Sequence, residues 1–135
     1  MPISMTETYR PKLGEFIATN NIDTVSVITC DLHGYARGKQ ITAQRFLEAL
    51  DGPIHLSTLF TMLDCGNYPI KPPENSYQWW PGWEDGYSDS VAIVDPVTIR
   101  TVPWQPGTAL VMAEFSATNT QNSLDFLPRN LVRNL

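Results

Sequence analysis

A chain of 135 residues and 15.2 kDa is long enough to bury one self-sufficient hydrophobic core. Its net charge of −5 and pI near 4.8, with nine scattered cations and no basic tract, argue against nucleic acid or an anionic membrane as a primary partner. Only two cysteines occur, Cys30 and Cys65; without C-x-x-C spacing or a His/Cys cluster they suggest two reduced, largely buried thiols and neither a disulfide scaffold nor a zinc site.

The first residues lack a basic region followed by an apolar core, and no segment approaches the roughly 20 apolar residues that span a bilayer. A cytoplasmic protein is therefore expected. Residues 7–20 carry Leu13, Phe16 and Ile17 at helical spacing, with Asn20-Asn21 as a stop. The β-branched run Val25-Ser26-Val27-Ile28-Thr29-Cys30 reads as a central strand. His33-Gly34 supplies a turn, and residues 35–41 return as the second strand of a hairpin. Thr42 is placed to cap a helix over residues 43–50 whose apolar face is Phe46, Leu47 and Leu50. Asp51-Gly52-Pro53 ends it, glycine taking a left-handed cap and proline forbidding continuation.

A further strand is predicted over residues 54–62. Strand, strand, helix, strand is the opening of a β-grasp, the ubiquitin-like roll of the α+β class, in which a mixed sheet packs on one short helix. Residues 64–89 are rich in Gly, Pro, Asn and aromatics and read as a long Tyr/Trp-rich loop. Residues 91–94, 98–102 and 109–115 look like three more strands, the first two separated by an Asp95-Pro96 turn. A polar linker over 116–123 leads to Pro128, a suitable first residue for a helix carrying Leu131, Val132 and Leu135. The expected organisation is a helical segment over 1–23, a β-grasp domain over 24–116, and a linker over 117–135 that opens a further, missing domain, since the last helix stops with its apolar face uncovered.

Three motifs fall in order on these elements: Asp31, Gly34, Arg37, Gly38 and Lys39 on the hairpin; Pro103, Trp104, Pro106, Gly107, Thr108 and Ala109 before the last strand; Pro128 and Arg129 at the final helix. Together they resemble the amino-terminal β-grasp domain of the glutamine synthetase family, the catalytic domain being absent. The resemblance implies an ATP-dependent ligation of ammonia or an amine to the γ-carboxylate of glutamate, through γ-glutamyl phosphate. It implies ATP and Mg2+ or Mn2+ for the full-length ligase, and none of them bound by this chain alone. It also implies partners: the catalytic domain of the same protein and neighbouring subunits of a ring, one of whose active sites the β-grasp domain covers.

An aspartate of that domain helps bind and deprotonate ammonium in the family, and the matching position is Asp64, in Leu63-Asp64-Cys65-Gly66-Asn67. Bacterial members often have Phe-Asp-Gly-Ser-Ser there; Cys65-Gly66-Asn67 stands in place of the Gly-Ser-Ser, and the sequence looks closer to the branch that acts on larger amines, such as γ-glutamyl-polyamine ligases. A carboxylate that caps a backbone turn is the plainer reading of Asp64. Trp83, after Gly82, resembles a tryptophan that lines the intersubunit site, with Trp79 and Trp80 as competitors. Arg37 and Lys39 could meet phosphate or an acidic neighbour, or form a solvated strand face. His33 and His55 read as structural or solvated. The rival function is a free-standing β-grasp binding module whose contact surface is the aromatic loop, including Tyr77 and Tyr87.

Overall fold

A computed structural model of the chain describes residues 5–52, 54–70, 89–115, 128–133 and 135. The elements run α1 (Met5–Thr19), β1 (Thr24–Cys30), β2 (Ala36–Thr42), α2 (Ala43–Ala49), β3 (Ile54–Ser57), β4 (Asp89–Thr101), β5 (Thr108–Phe115) and α3 (Pro128–Arg133). Among the described residues this is a mixed α+β fold: five strands in the order β2-β1-β5-β4-β3, with β1 and β5 parallel and the other pairs antiparallel.

Helix α1 ends where the paired asparagines predicted. Asn21 takes a left-handed φ of 50°, its N–H reaches the Ala18 carbonyl, and the Ile22 N–H returns to the Ile17 carbonyl at 3.0 Å. That is a Schellman closure with asparagine in the glycine position, and Ile17 and Ile22 both enter the core behind it. Thr42 caps α2 as expected, its hydroxyl accepting from the Arg45 N–H at 3.2 Å. Gly52 differs from expectation: α2 closes through right-handed Leu50 and a Gly52 N–H bond to Ala49, with no left-handed glycine.

The core lies on one face of the sheet. Alternation in β1 and β5 turns Val25, Val27, Val111 and Ala113 inward, against Leu13 of α1 and Phe46 of α2. Phe46 is fully buried, and deleting its ring would cost about 3–5 kcal/mol by analogy with other cores.

Two strand expectations are corrected. The segment after α2 leaves the sheet at Ser57 and becomes a 3-10 turn, Thr58–Met62. Ser57 Oγ accepts from the Leu59 N–H, and the Thr61 hydroxyl donates back to the Thr58 carbonyl at 2.7 Å, so side chains hold the backbone out of the ladder. The two strands expected on either side of Asp95-Pro96 are one strand, β4, with a register shift between Asp95 and Arg100. Pro96 has no N–H to offer, and a bulge is where a strand tolerates it. The Thr98 hydroxyl fills the gap, accepting from the Met112 N–H at 2.9 Å and donating to the Asp95 carbonyl at 2.6 Å.

Candidate functional site: two aspartate-anchored turns joined by an arginine

The hairpin motif folds around Asp31, whose side chain is 0% exposed. Its Oδ1 accepts from the His33 and Tyr35 N–H groups, each at 2.9 Å. The Asp31 N–H donates to the Tyr35 carbonyl, and the Gly34 N–H to the Asp31 carbonyl. Gly34 has a φ of 83°, the conformation for which glycine was expected.

The segment at Asp64 repeats this turn atom for atom. Asp64 Oδ1 accepts from the Gly66 and Tyr68 N–H groups at 2.8 and 2.9 Å. The Asp64 N–H donates to the Tyr68 carbonyl, the Asn67 N–H to the Asp64 carbonyl, and Asn67 takes φ 65° where the first turn has Gly34. A Leu63–Pro69 bridge closes the neck. The shared signal is Asp, three residues, then Tyr, with Gly or Asn before the tyrosine: Asp31-Leu32-His33-Gly34-Tyr35 and Asp64-Cys65-Gly66-Asn67-Tyr68. Sequence reading did not pair them.

Arg37 spans the two turns. Its Nε donates to Asp31 Oδ2 at 2.5 Å, its Nη1 to Asn67 Oδ1 at 2.6 Å, and its Nη2 to the Asp64 carbonyl at 3.4 Å. The Arg37 side chain is only 14% exposed, so the solvated-face reading fails for it. It holds for Lys39, which is exposed. The two carboxylates therefore differ in what remains open. Asp31 spends both oxygens inside the protein. Asp64 spends Oδ1 on its own turn, which matches the capping reading, while Oδ2 accepts no hydrogen bond among the described residues. An oriented, half-exposed carboxylate with one open oxygen can accept a proton or bind an ammonium group.

Burial alone would raise the Asp31 pKa. The Arg37 hydrogen bond, the Tyr35 and His33 N–H groups and the Arg37 charge outweigh it and hold the carboxyl below its ordinary value. Asp31 and Arg37 thus form a charge-compensated pair on the hairpin, from which the guanidinium reaches the second turn.

The other expected site residues fare differently. Trp83 and its competitors Trp79 and Trp80, with Tyr77 and Tyr87, lie outside the described residues. His33 and His55 are exposed. The thiols correct the expectation of burial, since Cys65 is exposed on the Asp64 turn and Cys30 is half-buried; both are free. Arg129 is more than a helix marker. It donates to Glu114 Oε1 at 2.9 Å, approaches Met112 Sδ at 3.0 Å and pairs with Asp95, fastening α3 across β4 and β5. Those partners stand 15 to 34 residues away, and no local pattern announces them.

Among the described residues no group of three or more His, Cys, Asp or Glu side chains comes together. No helix among the described residues is long and apolar enough to cross a membrane.

No family model matches the chain. It is 36% identical over 124 residues to a glutamate–isopropylamine ligase of a Pseudomonas species, a match covering 90% of this chain and 26% of the relative. It is 29% identical over 106 residues to the γ-glutamylethanolamide synthetase GlnA4 of Streptomyces coelicolor, covering 78% of this chain and 22% of that one. Two solved structures of GmaS, one of them an ADP complex, share the fold with TM-scores of 0.62 and 0.60 at 18% and 19% identity, each match covering 90% of this chain and 24% of the other. The homologues of this chain are glutamine synthetase-like ligases, and the chain spans about a quarter of the length of the curated relatives it matches.

Proposed function

We propose that this chain is the amino-terminal β-grasp domain of a glutamine synthetase-like ligase that uses ATP to join ammonia or an amine to the γ-carboxylate of glutamate. The observation that carries the reading is the 36% identity to a glutamate–isopropylamine ligase over 90% of the chain. The sheet order, with hairpin β1-β2 and antiparallel β4 flanking the parallel pair β1/β5, supports the β-grasp assignment.

In this reading the chain is inactive alone and covers the active site of a neighbouring subunit in a cytoplasmic ring. The ATP and Mg2+ or Mn2+ sites belong to the remaining length that the relatives possess. Phosphoryl transfer from ATP to the glutamate γ-carboxylate gives γ-glutamyl phosphate and ADP. The amine nitrogen attacks the acyl carbon, the C–O bond to phosphate breaks, and the nitrogen loses a proton. Asp64 attracts the ammonium form through Oδ2 and takes one proton from it before the attack, which frees the nitrogen lone pair. The second proton leaves after the attack to the departing phosphate, while Oδ1 stays fixed by the Gly66 and Tyr68 N–H groups. Tyr68 and Cys65, exposed on the same turn, border the space that the amine's substituent would occupy, and Trp83 is a further candidate for lining it.

The test is ligation by the product of the complete gene, supplied with ATP, glutamate and a panel of primary alkylamines. Amine-dependent release of phosphate with formation of a γ-glutamylamide is expected, and none from the 135-residue chain alone. Asp64→Asn retains an oxygen for both turn bonds but loses the charge, so kcat/KM for the amine should fall about 100-fold or more. Turnover by the 135-residue chain, or full activity of Asp64→Asn, would overturn the reading.

A further inference from the structure

The two matched turns differ in one respect that bears on Asp64. The first is built into a strand hairpin and buried on its aspartate; the second closes on a single bridge, Leu63–Pro69. Its left-handed residue is Asn67, which lacks the freedom of glycine at φ 65°. What the second turn gains is Arg37. That guanidinium is held by the fully buried Asp31, and it reaches the side chain of Asn67 and the main-chain carbonyl of Asp64. The fork is rigid, and its Asp31 anchor is fixed by two backbone donors. The Tyr35 ring sits 5.7 Å from the guanidinium carbon on the hairpin side, within cation-π range.

We propose that Arg37 is a positioning residue: through Asn67 and the Asp64 carbonyl it fixes the Asp64 turn against the β1-β2 hairpin, and so sets where Oδ2 meets the amine. The amine itself rests on the ligase reading above; the coupling of the two turns does not. Arg37 does not touch substrate. Lysine cannot replace it, because a single ammonium on a flexible stem cannot hold Asp31, Asn67 and the Asp64 carbonyl at once.

Two variants test this. Arg37→Lys keeps the charge and removes the fork. Asn67→Gly accepts the left-handed backbone and removes the side chain that carries the Oδ1 acceptor while leaving Arg37 on the hairpin, so it guards against a hairpin that fails to fold without Arg37. In the 135-residue chain, exchange of the Gly66 and Tyr68 amides should accelerate on the order of tenfold in both variants, the loss of one charge-assisted bond. The Val25 and Val27 amides of β1 should keep their rates. In the complete gene product the amine KM should rise about tenfold, with the KM values for ATP and glutamate changed less than about twofold.

Unchanged Gly66 and Tyr68 exchange in both variants would overturn the proposal, as would an equal rise in all three KM values. A wild-type product that ligates no amine would remove the ligase reading, and the exchange rates would still decide whether Arg37 holds the turn.

Discussion

Asp31 is held as a carboxylate without exposure to water because both of its oxygens have donors, two main-chain N–H groups on Oδ1 and the Arg37 Nε on Oδ2. Its folded pKa lies below the unfolded value, so its contribution to stability is complete at neutral pH. That contribution is lost as pH falls, because the unfolded chain takes up the proton first. The denaturation midpoint of the wild type should therefore drop as pH falls below about 5, and Asp31→Asn should be less stable at pH 7 with a flatter slope over the same fall. Equal slopes in wild type and variant would contradict this. Gly38 is a second fixed point. A Cβ there would lie 1.9 Å from the Val27 carbonyl oxygen, and neither backbone can yield while Gly38 stays paired with Ile28. Gly38→Ala should cost about 3 kcal/mol or more, read from a urea transition; a loss under about 1 kcal/mol, ordinary for an exposed strand residue, would show the hairpin more pliant than its geometry. Asp31, Gly34, Arg37 and Gly38 were legible as a motif on a hairpin. The contacts of Arg37 were not, since Asn67 and Asp64 lie 30 and 27 residues on.

At the scale of elements, local chemistry marked the starts and stops well and the interruptions poorly. Asn21 and Thr42 end and begin their helices as read, because a cap depends on neighbours within a turn. Pro96 misled, since a proline that breaks a strand and one accommodated in a bulge look alike until the Thr98 hydroxyl is seen bridging to β5. The strand after α2 was overextended for a related reason: Ser57 and Thr61 turn the chain with their own hydroxyls. Helix α3 shows the limit of periodicity. Six residues cannot hold a helix in water unaided, and α3 rests on the grip of Arg129 upon Asp95 and Glu114. Arg129→Ala should release it at a cost of about 1–2 kcal/mol, modest because the pair is partly solvated. Secondary chemical shifts of residues 128–133 should move to coil values while those of β4 and β5 stay. Unmoved α3 shifts would mean that another contact holds it.

Among the described residues the two faces of the sheet differ. One face is sealed by α1 and α2. On the other, Ile28, Met112 and Leu110 are half-buried and Ile93 is exposed, beside the clamp that carries exposed Leu131 and Val132. In the ligase proposed above such a surface would meet further packed structure; the curated relatives are about four times as long as this chain. The central claim is that this sequence acts as part of a larger ligase, and the intact mass of the native gene product in its source cells tests it most directly. A mass several times 15.2 kDa is the expected result, in keeping with a chain that is one part of a longer ligase. A mass near 15.2 kDa would contradict the claim and favour the free-standing binding module.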